Sequence, residues 1–505
     1  MADAPREIEL KFALPAARAA ETLGAIAALG SAPPRALSST YFDTAKGSLR
    51  RAGMALRVRR EGEVCTQTLK DAGDGALVRG EWEARVAGPN PELDVLRGTP
   101  AGPLLPKGVR LAPTFVVDVR RRTADMVEGE SRIELAFDEG VAMARGDEAP
   151  FAELELELKS GPQWGLFALA RRLAATSDLT LSFTTKAERG GTLARPPRSY
   201  AHKFKPPKLT LDMTSGAAFQ AVARACLRQI TANAERLRHR ASPEVIHQMR
   251  VGLRRLRSLI TSFKRVTADA RLAAIKAELK WITGELDAAR NLDVLLRGDF
   301  RAAVALKEDA DGLKGLGLRL RGARRMAYVR AVGAAESERF RRLLLDLLIW
   351  IEAGPWTAAD ATARERRRPV RKFAADELAR RRRRIVKHGA ALRDLEPAAR
   401  HGLRIEAKKL RYAADVFVGL FERPKRARTF VAALKELQDA LGDLNDIVVG
   451  ERLAHEAAAS PGRADADSAF VAGRITGAQK ARIGPLTDRA EAAIAAFANT
   501  KPFWK

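Results

Sequence analysis

Glutamates at alternating positions are the first residues of this 505-residue chain whose types and spacing suit chemistry. Glu7 and Glu9 lie two apart in Glu7-Ile8-Glu9-Leu10-Lys11-Phe12. Glu155 and Glu157 repeat the spacing in Glu153-Leu154-Glu155-Leu156-Glu157-Leu158-Lys159. On a β-strand, residues two apart share a face, so each pair sets two negative charges side by side. A cation between them relieves the repulsion, and paired carboxylates are hard oxygen ligands for Mg²⁺ or Mn²⁺. Arg57 and Arg59 (in Leu56-Arg57-Val58-Arg59) and Lys70 (after Thr66-Gln67-Thr68-Leu69) alternate in the same way. They supply fixed positive charge for an anion bound to that metal. An antiparallel sheet with its polar face in water explains any one segment. It does not explain repeated stacking of Glu on Glu and Arg on Arg, whereas a closed sheet holding phosphate and metal does. No Gly-rich phosphate loop and no Cys/His zinc spacing competes.

A second constellation lies further on. His247-Gln248-Met249-Arg250-Val251-Gly252-Leu253-Arg254-Arg255-Leu256-Arg257 recurs as His401-Gly402-Leu403-Arg404-Ile405-Glu406-Ala407-Lys408-Lys409-Leu410-Arg411. On an α-helix, His247, Arg250, Arg254 and Arg257 form one stripe, and His401, Arg404, Lys408 and Arg411 form its counterpart. A solvated face would intersperse glutamates. Like charges at these spacings cost a helix about 0.2–0.5 kcal/mol per pair, so a stripe kept twice points to a polyanion. As an imidazolium, each histidine would donate to phosphate. The arginine runs 364–368 and 380–384 read as solvated surface that strengthens the field.

These residues need two different scaffolds. Residues 1–200 hold 28 Lys+Arg against 27 Asp+Glu; the rest of the chain holds 61 against 35, nearly all of the net +27. The first segment alternates with period two, as again in Ile133-Glu134-Leu135, and predicts strands. The second is rich in Ala, Leu and Arg at helical spacing, and its repeat implies duplication of a helical unit. Paired prolines at Pro196-Pro197 and Pro206-Pro207 predict a semi-rigid linker. The expected boundaries are 1–190, a linker at 191–213, and 214–505 with copies at about 214–350 and 365–500. Cys65 and Cys226 make no disulfide framework, which fits a reducing compartment. No leader or bilayer-length apolar run appears, so a cytoplasmic location is expected.

The first segment resembles the CYTH superfamily, the triphosphate tunnel metalloenzymes. The resemblance runs through Glu7-x-Glu9-x-Lys11, Tyr41-Phe42-Asp43-Thr44, Leu56-Arg57-Val58-Arg59, Thr68-Leu69-Lys70, Arg79-Gly80-Glu81, Glu155-Leu156-Glu157 and Thr185-Lys186-Ala187-Glu188-Arg189-Gly190. It implies an eight-stranded antiparallel β-barrel with a charged tunnel. It implies that Glu7, Glu9, Glu155 and Glu157 hold Mg²⁺ or Mn²⁺, and that Lys11, Arg57, Arg59, Lys70 and Lys186 grip triphosphate. An arginine of Arg120-Arg121-Arg122 joins them: alternation allows Arg120 with Arg122, or Arg121 alone, and Arg122 is the choice. Glu7, Glu9 and Lys11 are the expected catalytic group, with Lys11 orienting the leaving pyrophosphate. Asp138 is a candidate tunnel acid, with a turn aspartate as the preferred reading, and Glu153 is left outside the set.

The second segment resembles the CHAD family, the conserved-histidine α-helical domain. This implies an all-α domain of two pseudo-symmetric four-helix bundles, with both His-Arg stripes contacting inorganic polyphosphate. Asn291 departs from the family's first copy, which has Asp there, whereas the second copy keeps Asn445-Asp446. Together the resemblances lead to a metal-dependent inorganic triphosphatase with a polyphosphate-binding domain, which could associate with polyphosphate granules. The alternatives are a nucleotide or thiamine triphosphatase, an adenylate cyclase, or a non-catalytic granule protein. No specific nucleic-acid partner and no membrane is expected.

Overall fold

The computed structural model describes residues 6–26, 29, 33–71, 78–195, 200–306, 308–459 and 466–505. Pro196 and Pro197 of the expected linker lie outside them. Two compact units divide the chain: Met1–Tyr200 with Arg341–Ile349, and Ala201–Phe340 with Trp350–Lys505.

The first unit is an antiparallel sheet. Its strands are β1 (Arg6–Leu14), β2 (Arg35–Thr44), β3 (Met54–Glu61), β4 (Val64–Asp71), β5 (Val78–Val86), β6 (Leu111–Glu128), β7 (Ser131–Ala144), β8 (Asp147–Ser160) and β9 (Thr180–Leu181). The order is β5-β4-β3-β2-β6-β7-β8-β1-β9. This corrects the expected count of eight, because the two-residue β9 adds itself beside β1 at Phe12 and Ala13. Nor does the sheet close along its length: its ends meet only where Arg6, Glu7 and Ile8 of β1 pair with β5.

Register decides which residues share a face. Lys11 lies opposite Glu155, Arg121 opposite Asp138, and Asp138 opposite Glu153. Arg57 pairs with Tyr41 and Thr68, and Lys70 with Glu81. With period-two alternation, the acid and base rows all occupy one face. The opposite face supplies Leu10, Phe12, Leu154 and Leu156, each 1% exposed or less. Helix α1 (Gln163–Thr176) packs on β6, β7 and β8. Helix α2 (Lys186–Ala194) begins at a capping box in which Thr185 accepts from the Glu188 amide and Glu188 accepts from the Thr185 amide. That cap fixes Lys186 as the first helical residue.

The second unit is helical. Helices α3 (Ser215–His239), α4 (Pro243–Ser262), α5 (Leu272–Arg297) and α6 (Ala310–Glu336) pack in succession, and α6 returns onto α3. Helices α7 (Val370–Gly389), α8 (Pro397–Phe417), α9 (Pro424–Ala458) and α10 (Ile483–Asn499) repeat the scheme, with α10 returning onto α7. Helix α4 packs on α8, so the helices bearing the two His-Arg motifs meet. Residues after Tyr200 dock on this unit: the His202 backbone bonds the Asn233 side chain through both N–H and C=O, and the Arg255 guanidinium lies 4.0 Å from the Phe204 ring centroid. No described helix is long and apolar enough to cross a membrane.

Candidate active site and basic helical face

The β-face carries two acidic groups with different charge balance. In the first, Asp138, Glu153 and Glu155 each bring a carboxylate oxygen within 4.8 Å of the others, a spacing that suits a metal. Three cations already fill it. Lys11 Nζ lies 2.6 Å from Glu155 and 3.1 Å from Glu153. Lys186 Nζ lies 2.7 Å from Asp138 and 2.8 Å from Glu155, and also bonds Glu153. Arg121 donates to both Asp138 oxygens, at 2.7 and 2.6 Å, and to Glu155 at 2.7 Å. Burial opposes ionisation of Glu155, but Lys11, Lys186 and Arg121 hold its pKa well below the carboxylate range. Burial likewise opposes the charge on Lys11 and Lys186, and the facing carboxylates still raise both. Three anions against three cations is a neutral, buried set.

Among the described residues, the second group has excess negative charge. Glu7 accepts from Lys70 at 2.9 Å, Glu81 lies 3.0 Å from the same ammonium, and Glu157 pairs with Lys159 at 2.7 Å. Glu9 faces Glu157 across the β1–β8 ladder and, among the described residues, reaches only Lys11, at 3.7 Å. Burial raises the pKa of Glu7, assisted by its bond to Glu81. Burial also raises Glu157, assisted by repulsion from Glu7. Carboxylates that resist ionisation because they crowd one another are where a divalent cation gains most. The balanced group has the spacing for a metal but its charge is already met, whereas the crowded carboxylates here are hard oxygen donors with charge to spare.

Two arginines whose buried Nε atoms have no partner among the described residues complete the site. Arg57 is 8% exposed and its Nε has no partner; the buried Nε of Arg59 has none either. Burial together with Arg57 and Arg121 pushes the Arg59 guanidinium down to about 10. Unpaired guanidinium groups in a partly desolvated recess cost free energy unless an anion completes them.

The structure thus gathers Glu7, Glu9, Lys11, Arg57, Arg59, Lys70, Glu155, Glu157 and Lys186 on one face. It corrects three readings. Arg121, not Arg122, joins the carboxylates, because Arg122 pairs across the ladder with Phe137, in the opposite phase. Asp138 lies within β7, not in a turn, and is fully buried. Glu153 belongs to the site, and Glu155 is engaged by three cations. Glu81 was also missed. The available signals were the shared phase of Glu153 with Glu155, and the even spacing of Val117, Val119 and Arg121. Removing the Lys186 ammonium should leave buried Glu153 and Asp138 under-compensated. Lys186→Met is therefore expected to cost about 3–5 kcal/mol, with part recovered by adding Glu153→Gln. The check is the first transition in guanidinium unfolding of the full chain.

On the helical unit, Ser242 caps α4 by accepting from the Val245 amide, and Pro243 opens the helix. This orients His247, Arg250 and Arg254. Arg250 pairs with Asp287 at 2.5 Å. Arg404 reaches Asp446 at 3.4 Å, Arg411 reaches Gln438 at 3.3 Å, and His401 Nδ1 bonds Asn445. The buried His247 Nδ1, Arg254 Nε and Arg404 Nε have no partner. Arg257 is half-buried on the same helix. The two stripes converge in space: burial and then Arg404 and Arg254 push Lys408 down to about 7. Burial, with Arg290 and Arg254, pushes His247 down to about 4. A bound polyanion opposes that shift, since its charge favours the imidazolium.

Comparison with known proteins adds a separate finding. The family profile described as CYTH domain matches residues 5–190, and the one described as CHAD domain matches 221–455. An inorganic triphosphatase of Haemophilus influenzae is 36% identical over 159 residues, 30% of this chain. That match spans 45% of the relative's length, so it covers less than half of that protein. The CHAD domain of the plant Ricinus communis is 30% identical, with a TM-score of 0.52 over 59% of this chain and 98% of that one. HpAC1 from Hippeastrum, described as having a dominant triphosphatase activity, is 22% identical, with a TM-score of 0.29 over 37% of this chain and 96% of that one.

Proposed function

The chain belongs to the CYTH and CHAD domain families, with one domain of each, and on that premise we propose that it is a metal-dependent inorganic triphosphatase carrying a polyphosphate-binding domain. The observation behind this reading is that the buried Nε atoms of Arg57 and Arg59 have no partner, on the same charged sheet face as the carboxylates of Glu7, Glu9 and Glu157. An anion and a divalent cation complete both at once, and a metal-bound triphosphate is such a pair.

In this reading the charged face of the sheet, whose ends meet where β1 pairs with β5, receives the substrate. Glu7, Glu9 and Glu157 hold the metal, Mg²⁺ or Mn²⁺, with Glu81 beside Glu7. The bound metal supplies charge neutralisation and polarisation of the phosphoryl oxygens. Arg57 and Arg59 bind the phosphoryl oxygens on which negative charge builds, which lowers the barrier to attack by water. Water oxygen bonds to a terminal phosphorus as the bridging P–O bond breaks. Pyrophosphate leaves with the electron pair, and the water proton passes to solvent. Lys11 and Lys70 stand beside the acids and orient the leaving pyrophosphate. Turnover of inorganic triphosphate, ATP and thiamine triphosphate side by side, with Mg²⁺ and with Mn²⁺, tests the reading. A preference for either organic triphosphate replaces it.

The helical unit, as two pseudo-symmetric bundles, binds inorganic polyphosphate where the stripes converge. The contacting set is His247, Arg250, Arg254, Arg257, His401, Arg404, Lys408 and Arg411. Two outcomes follow. Arg254→Ala with Lys408→Ala should weaken binding of a labelled polyphosphate about 100-fold, since each charge-assisted contact contributes about 1.5–3 kcal/mol. Affinity should also fall with pH. Lys408 is depressed to about 7 in the free protein, and the protonated form binds; below that value the affinity is flat. Above it, binding must take up a proton, so affinity drops by up to tenfold per pH unit. Anisotropy titrations from pH 6 to 8.5 measure the slope, and Lys408→Arg should flatten it.

A further inference from the structure

The first arginine of each His-Arg motif meets one carboxylate from the next long helix. Arg250 of α4 pairs with Asp287 of α5 at 2.5 Å, and Arg404 of α8 with Asp446 of α9 at 3.4 Å. The arginines are equivalent in the duplication, but the acids are not. Aligning Leu286-Asp287-Ala288-Ala289-Arg290-Asn291-Leu292 with Leu441-Gly442-Asp443-Leu444-Asn445-Asp446-Ile447 sets Asp287 against Gly442 and Asn291 against Asp446. The two positions are four residues apart, one turn along one helix face, so either can present a carboxylate to the same guanidinium. In the second copy the earlier turn also lies against the arginine: a Cβ on Gly442 would come 3.9 Å from Nε and Nη2 of Arg404. The departure at Asn291 is thus offset one turn earlier, and each copy keeps an acid for its arginine.

Burial indicates which partner can move. The Arg250 and Arg404 side chains are 10% and 17% exposed, whereas those of Asp287 and Asp446 are 43% and 48% exposed. The acids can swing into water; the guanidinium groups are held. Burial pushes Arg250 down to about 10 even with Asp287 beside it, so one half-exposed carboxylate leaves its charge incompletely met. We infer that Asp287 and Asp446 are built-in counter-ions that occupy these arginines in the free protein and are displaced by a bound polyanion, so that they oppose binding and set the charge density a ligand must bring. This rests on the polyphosphate reading and deepens it, by making two acids determinants of affinity among the basic stripes. A chain reaches Arg250 and Arg404 only by setting phosphoryl oxygens where the carboxylates were. A lone anion gains few contacts in that exchange, whereas linked phosphates gain several at once.

The test titrates the full chain with a labelled long polyphosphate at one fixed salt concentration, read by anisotropy. Asn keeps the size of each side chain and removes its charge. Asp287→Asn should tighten binding about fivefold, Asp446→Asn, whose contact is longer, about twofold, and both together about tenfold. Unchanged or weaker binding in the double variant overturns the inference, because the acids would then position the arginines for the ligand. Glu244→Gln is the control for net charge: Glu244 is exposed on α4 and, among the described residues, bonds Gln248 and no arginine of the stripe. It should change affinity by less than about twofold, and a gain equal to that of Asp287→Asn also overturns the inference. If the unmodified chain binds no polyphosphate, the polyphosphate reading fails and heparin becomes the probe. Any polyanion on the stripes displaces the same carboxylates, so the double variant should bind heparin more tightly than the unmodified chain. No gain with heparin overturns the inference as well.

Discussion

Replacing Arg57 and Arg59 together by methionine is expected to lower kcat/KM for triphosphate on the order of 1,000-fold or more while leaving the protein as stable as before, or more so. Most substitutions in a partly buried recess destabilise a protein. Here the sign is reversed, because neither Nε has a partner among the described residues and the Arg59 guanidinium is repelled by Arg57 and Arg121. Methionine fills similar volume, tolerates irregular space and removes uncompensated charge. The loss of activity has a separate cause. Each donor aimed at charge developing in the transition state contributes about 10²–10³ in rate. Steady-state kinetics and thermal unfolding on the same sample check the claim. Loss of both stability and activity would mean that the arginines support the fold instead.

The second large effect separates the two acidic groups. Glu7→Gln with Glu9→Gln should abolish metal-dependent hydrolysis and weaken Mn²⁺ binding by about 100-fold or more, since two ligands are lost from a site that has few. Stability should change little or rise, because Glu7 already resists ionisation. Asp138→Asn with Glu153→Gln should do the reverse. It leaves Glu155 alone to compensate Lys11, Lys186 and Arg121, lowers stability by several kcal/mol, and leaves Mn²⁺ affinity within about threefold. Calorimetric Mn²⁺ titration of both variants is the measurement. If the second pair abolishes binding and the first does not, the metal belongs among Asp138, Glu153 and Glu155. The pH dependence follows from the same balance. Glu7 and Glu157 have raised pKa values, so protons compete with metal, and Mn²⁺ affinity should fall as the pH drops through the upper carboxylate range.

What the chain determined locally was legible in the sequence. Period-two alternation assigned Glu7, Glu9 and Lys11 to one face because a strand's side-chain period is two whatever surrounds it. The His-Arg stripes were legible for the equivalent reason on a helix, and their recurrence at His401 revealed the duplication. Charge partition at residue 200 separated the two chemistries before any coordinate was known. Only tertiary structure decided the rest. Whether Arg121 or Arg122 turns inward depends on the pairing of β6 with β7, a long-range register that a run of three arginines leaves open. Glu153 and Asp138 join Lys11 and Lys186 across 142 and 48 positions of sequence, so no local spacing announces them. Which carboxylates are neutralised and which are left for a metal is likewise a sum over several strands, since a charge's environment is set by every neighbour within a few ångströms. The lowered pKa of His247 arises the same way, from burial and the arrival of Arg290 from another helix. Sequence fixes the phase of each element; the packing of elements against one another fixes the electrostatics.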